Sequence, residues 1–223
     1  MITPLLTQAI IKYVTGVIIV ALLLFLPAWS LHYWQGWLLI AILFVPMLAV
    51  GIVIYIKNKE LLKKRLKAKE TDKTQSRIVK TSGLLFVISF IVASLNWRYQ
   101  WSIIPSWAVW VAAIIQLLSY IMYAEVLHEN TYLSRTIEVQ ENQRVIDTRL
   151  YSIVRHPMYT ATTILFLAMP IVLASPISFI IMLLYIPLIV HRIKTEETFL
   201  ENNLQGYKEY QQRVKYRLIP FLW

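Results

Sequence analysis

Trp37-Leu-Leu-Ile-Ala-Ile-Leu-Phe-Val-Pro-Met-Leu-Ala-Val-Gly-Ile-Val-Ile-Tyr-Ile56 carries no charge, and Lys57, Lys59, Lys63, Lys64 and Arg65 follow at once. Crossing the hydrocarbon of a bilayer takes about 20 apolar residues in a helix. A helix is the form that satisfies its own backbone there. Outward from this stretch, Ile10–Ala28, Thr81–Trp97 and Trp107–Leu127 meet the same criterion. Ile10–Ala28 contains Lys12 and is closed by no small-x-small cleavage site, so it reads as a retained span and not a signal peptide.

The apolar region from Tyr159 to Val190 is too long for one span and is interrupted at Ala174-Ser-Pro176. Proline breaks the helical hydrogen-bond ladder, so a hairpin is expected, with arms Pro157–Ala174 and Ile177–Ile193. Each arm is short for a full crossing, which predicts tilt or partial re-entry. The result is an all-α integral membrane protein of about six hydrophobic helical segments. Four spans lie in residues 1–127, and residues 128–223 hold the hairpin and a cytoplasmic C-terminal helix.

Composition agrees. The 223 residues are 58% hydrophobic, against about half in a soluble domain. Cysteine is absent, which excludes disulfides, thiolate metal sites, a cysteine nucleophile and prenylation of the C-terminus. A net charge of +10 would suit nucleic acid, but basic residues on cytoplasmic loops produce the same balance. No nucleic-acid partner is expected.

The ten Lys and Arg residues between 57 and 80 mark that loop as cytoplasmic. Alternating the spans then puts the N-terminus, residues 128–156 and the C-terminal tail on the same side. Arg98 alone among the basic residues faces out, beside the aromatic belt of Trp97, Tyr99, Trp101 and Trp107. Residues 57–80 read first as an orientation signal that also touches anionic lipid, with an interfacial basic helix, Leu61, Leu62, Arg65 and Leu66 at helical spacing, as the alternative. Residues 134–149 read as a short strand–turn–strand about Glu141-Asn142.

Five glycines, at 16, 36, 51, 83 and 206, leave no dinucleotide or Walker-type loop. His32, His128, His156 and His191 have no metal-ligand spacing. The polar turn Tyr151-Ser-Ile-Val-Arg-His-Pro-Met-Tyr159 is more informative. Pro157 suits the first turn of a helix and pushes His156 into an extended conformation. A helix start flanked by Arg155 and His156 is then a candidate anion site, or a headgroup anchor. Arg192 and Glu196, four apart on one helical face, should emerge near His156 and Tyr159. They form either a stabilising pair or a site for a zwitterionic ligand. The tail, with Tyr207-x-x-Tyr210, is amphipathic enough to close over a pocket.

Several motifs together resemble the isoprenylcysteine carboxyl methyltransferases, above all their prokaryotic relatives. They are Gln140, Asn142-Gln-Arg-Val-Ile-Asp-Thr148, Tyr151, Arg155-His-Pro-Met-Tyr159, Arg192-x-x-x-Glu196-Glu197-x-x-Leu200, Tyr207-x-x-Tyr210 and Tyr216-Arg-Leu-Ile-Pro220. The likeness covers roughly residues 128–223. The chain departs from the pattern where Arg149-Leu150 replaces the usual glycine before the tyrosine, and at Ala161, which changes the turn geometry.

The resemblance implies S-adenosylmethionine as cofactor, in a small cytoplasm-facing binding region with a lipid-side entrance for a lipophilic acceptor. It places Gln140, Gln143, Arg144, Val145, Ile146, Tyr151, His156, Pro157, Met158, Tyr159 and Glu196 at the cofactor. Arg192 falls at the acceptor, and Arg192 and Glu196 become the catalytic pair. The implied reaction is carboxyl O-methylation of an isoprenylcysteine-like or other lipid-linked carboxylate. Phospholipid N-methylation, sterol-type reduction with NADPH and a non-catalytic scaffold are the competing readings.

Overall fold

The computed structural model describes residues 4–66, 73–133 and 139–223. Among them, α1 is Pro4–Ala28, α2 Trp34–Lys57, α3 Lys59–Leu66, α4 Lys73–Tyr99 and α5 Ser106–Glu129. A 3-10 turn at Arg149–Ser152 precedes α6 (Pro157–Val172), α7 (Pro176–Met182), α8 (Tyr185–Asn203) and α9 (Tyr207–Arg213). The described residues contain no strand. Of the expected strand–turn–strand, the turn is present at Glu141-Asn142, with Asn142 left-handed (φ 57), but residues 143–147 form no strand. Residues 134–138, most of the first arm, lie outside the described residues.

Among the described residues, five helical segments are long and apolar enough to cross a membrane: α1, α2, Gln75–Tyr99, α5 and Pro176–Asn203. Their outer faces carry large apolar side chains in the open, among them Ile18, Leu22, Val45, Ile52, Leu118 and Ile121. A soluble surface does not sustain contiguous apolar exposure of this kind, and the chain is a multi-pass membrane protein.

The spans alternate in direction. At one end Trp34 stacks on Trp110, Tyr33 lies against Trp97, and Arg98 lies over Trp29. At the other, Lys12 of α1 donates to the carbonyl of Leu66, and the Arg65 guanidinium stacks on Tyr123 of α5. The interior between them is built on Leu24, Leu39, Ala93, Val172 and Leu173, all fully buried. It is pinned by a bond from the Tyr33 hydroxyl to the Leu173 carbonyl (2.8 Å).

The hairpin has unequal arms. The sixteen residues of α6 rise about 24 Å at 1.5 Å per residue, short of the about 30 Å of hydrocarbon. At its far end Ala174 turns in a left-handed conformation (φ 56) and Ser175 caps α7 through the Ser178 N–H. The returning arm, expected as one helix, is broken at Leu183-Leu184. Pro187 is the cause. It has no N–H to give the Leu183 carbonyl, and its ring crowds that carbonyl. Ile186 bonds it instead, across three residues.

Candidate active site

The turn before α6 forms in part as its sequence dictates. Pro157 occupies the first helical turn, and His156 before it lies outside the helical region (φ −125, ψ 60) without reaching the extended conformation expected. The Arg155 and His156 N–H groups bond the carbonyls of Tyr216 and Arg217, both at 2.9 Å, so the tail is stitched along the turn. The Arg155 and His156 side chains do meet an anion, and it is the protein's own. Glu197, 3% exposed, accepts from Arg155 Nε (2.7 Å), His156 Nε2 (3.2 Å) and Arg217 Nε (2.6 Å). Arg155 also bonds the Val214 carbonyl at 2.9 Å. The charges expected to hold an external anion are therefore committed inside the protein, because the carboxylate of α8 reaches them first.

The neighbouring carboxylate faces elsewhere. The Tyr159 hydroxyl donates to Glu196 Oε2 (2.5 Å) and accepts from Arg192 Nε (2.9 Å). Arg192 and Glu196 thus share a face as their spacing requires, with Tyr159 standing between them. The Arg192 guanidinium is also 6.0 Å from the Tyr159 ring centre, within cation–π range.

These side chains open into one pocket, enclosing about 840 Å³ with its open mouth included. Met158, Tyr159, Arg192 and Glu196 form its floor, with Tyr151 and residues 143–146 as one wall. Tyr207 and Tyr210 of α9 also line it, on a helix positioned by a buried cluster of Leu204, Tyr207, Tyr210 and Val214. Gly206 makes the turn into α9 at φ 84, a conformation glycine adopts without strain. Tyr210 donates to the Tyr151 carbonyl (2.7 Å), and Arg213 pairs with Asp147 (2.8 Å). Burial pushes the Tyr151, Tyr207 and Tyr210 phenols well up from their ordinary value, so all three remain neutral.

Of the twelve residues that the sequence resemblance placed at the cofactor or acceptor, ten line this pocket: Gln143, Arg144, Val145, Ile146, Tyr151, His156, Met158, Tyr159, Arg192 and Glu196. Gln140 and Pro157 do not. Gln140 accepts from Lys64 Nζ (2.5 Å) and donates to the Tyr132 carbonyl (2.6 Å), bracing the wall from behind. Pro157 sets the helix start. Asn130, Tyr132, Leu133 and Leu204 line the pocket without having been foreseen. Asn130 donates to the Tyr151 hydroxyl (2.9 Å), and its only sequence signal was a polar residue just past an apolar span.

A family model described as phospholipid methyltransferase matches residues 106–206, which supply most of the pocket. No curated protein matches the chain. Among solved structures, one is described as the eukaryotic intramembrane Ras methyltransferase ICMT (isoprenylcysteine carboxyl methyltransferase), without a monobody. It aligns with a TM-score of 0.49 at 17% identity, over 99% of this chain and 88% of that one. The matched segment is a little under half of the chain.

Proposed function

We propose that the protein transfers a methyl group from S-adenosylmethionine to a lipophilic acceptor drawn from the bilayer, and that the acceptor atom is a carboxylate oxygen. The carrying observation is the Arg192–Tyr159–Glu196 array at the floor of the pocket. It presents a cation and an anion side by side within a largely buried setting. The Tyr207 hydroxyl also lines the pocket and is buried without a hydrogen-bond partner. Such a group costs stability unless a ligand satisfies it, so the residues present fit a polar, partly aromatic cofactor.

Bound there, the cofactor supplies an electrophilic methyl on a sulfonium. Glu196 would hold a cationic part of it, and Tyr151, Tyr207 and Tyr210 would cover its flat and positive parts. Gln143 to Ile146 would border it. Arg192 would orient the acceptor carboxylate, which is already ionised at neutral pH and needs no strong base. Alignment in a water-poor site would supply most of the acceleration. We place this site on the cytoplasmic side, because the basic residues collect at the same end of the bundle.

The family match favours a second reading, N-methylation of a phospholipid. Incubating the purified protein in lipid nanodiscs with methyl-labelled cofactor separates the two. A methyl ester releases label as methanol in alkali, whereas an N-methyl group does not. Alkali-labile product, abolished in Arg192→Ala with cofactor affinity retained, is expected. Alkali-stable product would establish the second reading.

A further inference from the structure

Beyond α9 the chain runs along the turn before α6 and closes into a loop. The Trp223 backbone oxygen accepts from the N–H groups of Arg217, Leu218 and Ile219 at 2.9, 2.8 and 3.0 Å. The Arg217 guanidinium lies 5.4 Å from the Trp223 ring centre. At the tip of this loop Phe221 is left-handed (φ 64), a conformation that strains a residue carrying a side chain. Phe221 is 88% exposed and Leu222 76%, with Ile219 exposed beside them. The loop therefore holds apolar side chains outward in a fixed, strained shape. Strain of this kind persists only where the surroundings over-determine it.

The base of the loop shows what lies against the tip. The Thr160 hydroxyl, in the first turn of α6, donates to the Leu218 carbonyl (2.7 Å). Leu218 and Trp223 pack in a cluster with Met182, Tyr185, Ile189 and Ile193, residues of the membrane-crossing segment Pro176–Asn203. Ile180, Leu184 and Ile186 of that segment are exposed on its outer side. The loop is thus continuous with a lipid-facing surface, at the level where the span gives way to Arg192 and Lys194. Lys215 is exposed at its base. Aromatic and basic side chains together are the ones that settle at a membrane interface. An apolar tip gains by entering the acyl boundary while a basic residue behind it meets anionic headgroups.

We propose that residues 219–223 form a membrane anchor, with Phe221 and Leu222 inserted into the leaflet on the pocket side. The anchor does not depend on what the pocket binds, but it bears on the pocket. Arg155 and His156 bond the chain leading into the loop, at the carbonyls of Tyr216 and Arg217, and Arg217 pairs with Glu197. An inserted tip therefore ties the turn before α6 to the bilayer surface.

The protein has no cysteine, so a nitroxide on Leu222→Cys reports that position alone. The exposure of the side chain lets the fold accept the label. In nanodiscs of phosphatidylcholine and phosphatidylglycerol, oxygen concentrates in the bilayer and a nickel chelate stays in water. The label should relax more strongly with oxygen than with the chelate. A label on Leu118→Cys, exposed on α5, should do the same, and one on Glu209→Cys, exposed on α9, should show the reverse. Phe221→Cys should repeat the Leu222 result. Either tip label behaving like the one at Glu209 would overturn the anchor, as a loop held in water. Shielding of the tip from both relaxers would overturn it too, as a surface covered by protein.

Discussion

Glu196 and Glu197 are adjacent in sequence and occupy different environments. Glu197 is enclosed by Arg155, His156 and Arg217, a knot joining the turn, α8 and the tail. Glu196 accepts from the Tyr159 hydroxyl and faces the pocket. Glu197→Gln should therefore lower thermal stability. Removing one partner of a buried ion pair costs about 3–5 kcal/mol, and the partial exposure of Arg217 puts this case toward the lower end. Glu196→Gln should melt close to wild type but lose S-adenosylhomocysteine affinity by about tenfold to a hundredfold. Thermal melts and calorimetry on both variants check the split. The opposite pattern would exchange their roles.

Much at this scale was legible in the sequence. The Pro157 helix start follows from local backbone rules, as does the shared face of Arg192 and Glu196. The partners of Glu197 were not, because Arg217 and His156 meet it across long chain separations that no spacing encodes. The departure at Arg149 is informative. Where a glycine is usual in the family it resembles, this arginine adopts a left-handed backbone (φ 48), which is strained for a side-chain-bearing residue. Its guanidinium is held by Glu125 and Glu129 of α5. A distant helix therefore secures a conformation that glycine would take unaided.

Among the elements, the apolar runs and the Ala174-Ser-Pro176 turn identified every long helix, because length and absence of charge are local properties. The break at Leu183-Leu184 had a sequence signal in Pro187, four residues on, but sits inside a uniformly apolar stretch where hydropathy is silent. The break lets α8 take its own course, which carries Arg192 and Glu196 to Tyr159. Pro187→Ala restores the missing N–H and should favour a continuous α7–α8, turning both side chains away from their present positions. The expected result is retained or increased helicity by circular dichroism with weaker S-adenosylhomocysteine binding. Unchanged binding would show that the break does not position the site.

For the whole molecule, the alternation of spans places α3, the pocket and α9 at one end and the tryptophan-rich belt at the other. The chain has no native cysteine, so single-cysteine variants give clean labelling. In intact cells, a cysteine replacing Gln100 should react with an impermeant reagent. One replacing Glu209, exposed on α9, should react only after the membrane is opened. The reverse would put the pocket on the outer side.

The central claim is that the pocket holds a methyl donor, and the most direct test is ligand-dependent melting of the detergent-purified protein. S-adenosylhomocysteine should bind in the micromolar range. At 100 times its dissociation constant it should stabilise the fold by about 2.7 kcal/mol, with NADPH giving no effect. No stabilisation by saturating S-adenosylhomocysteine, or stabilisation by NADPH in its place, would contradict the account.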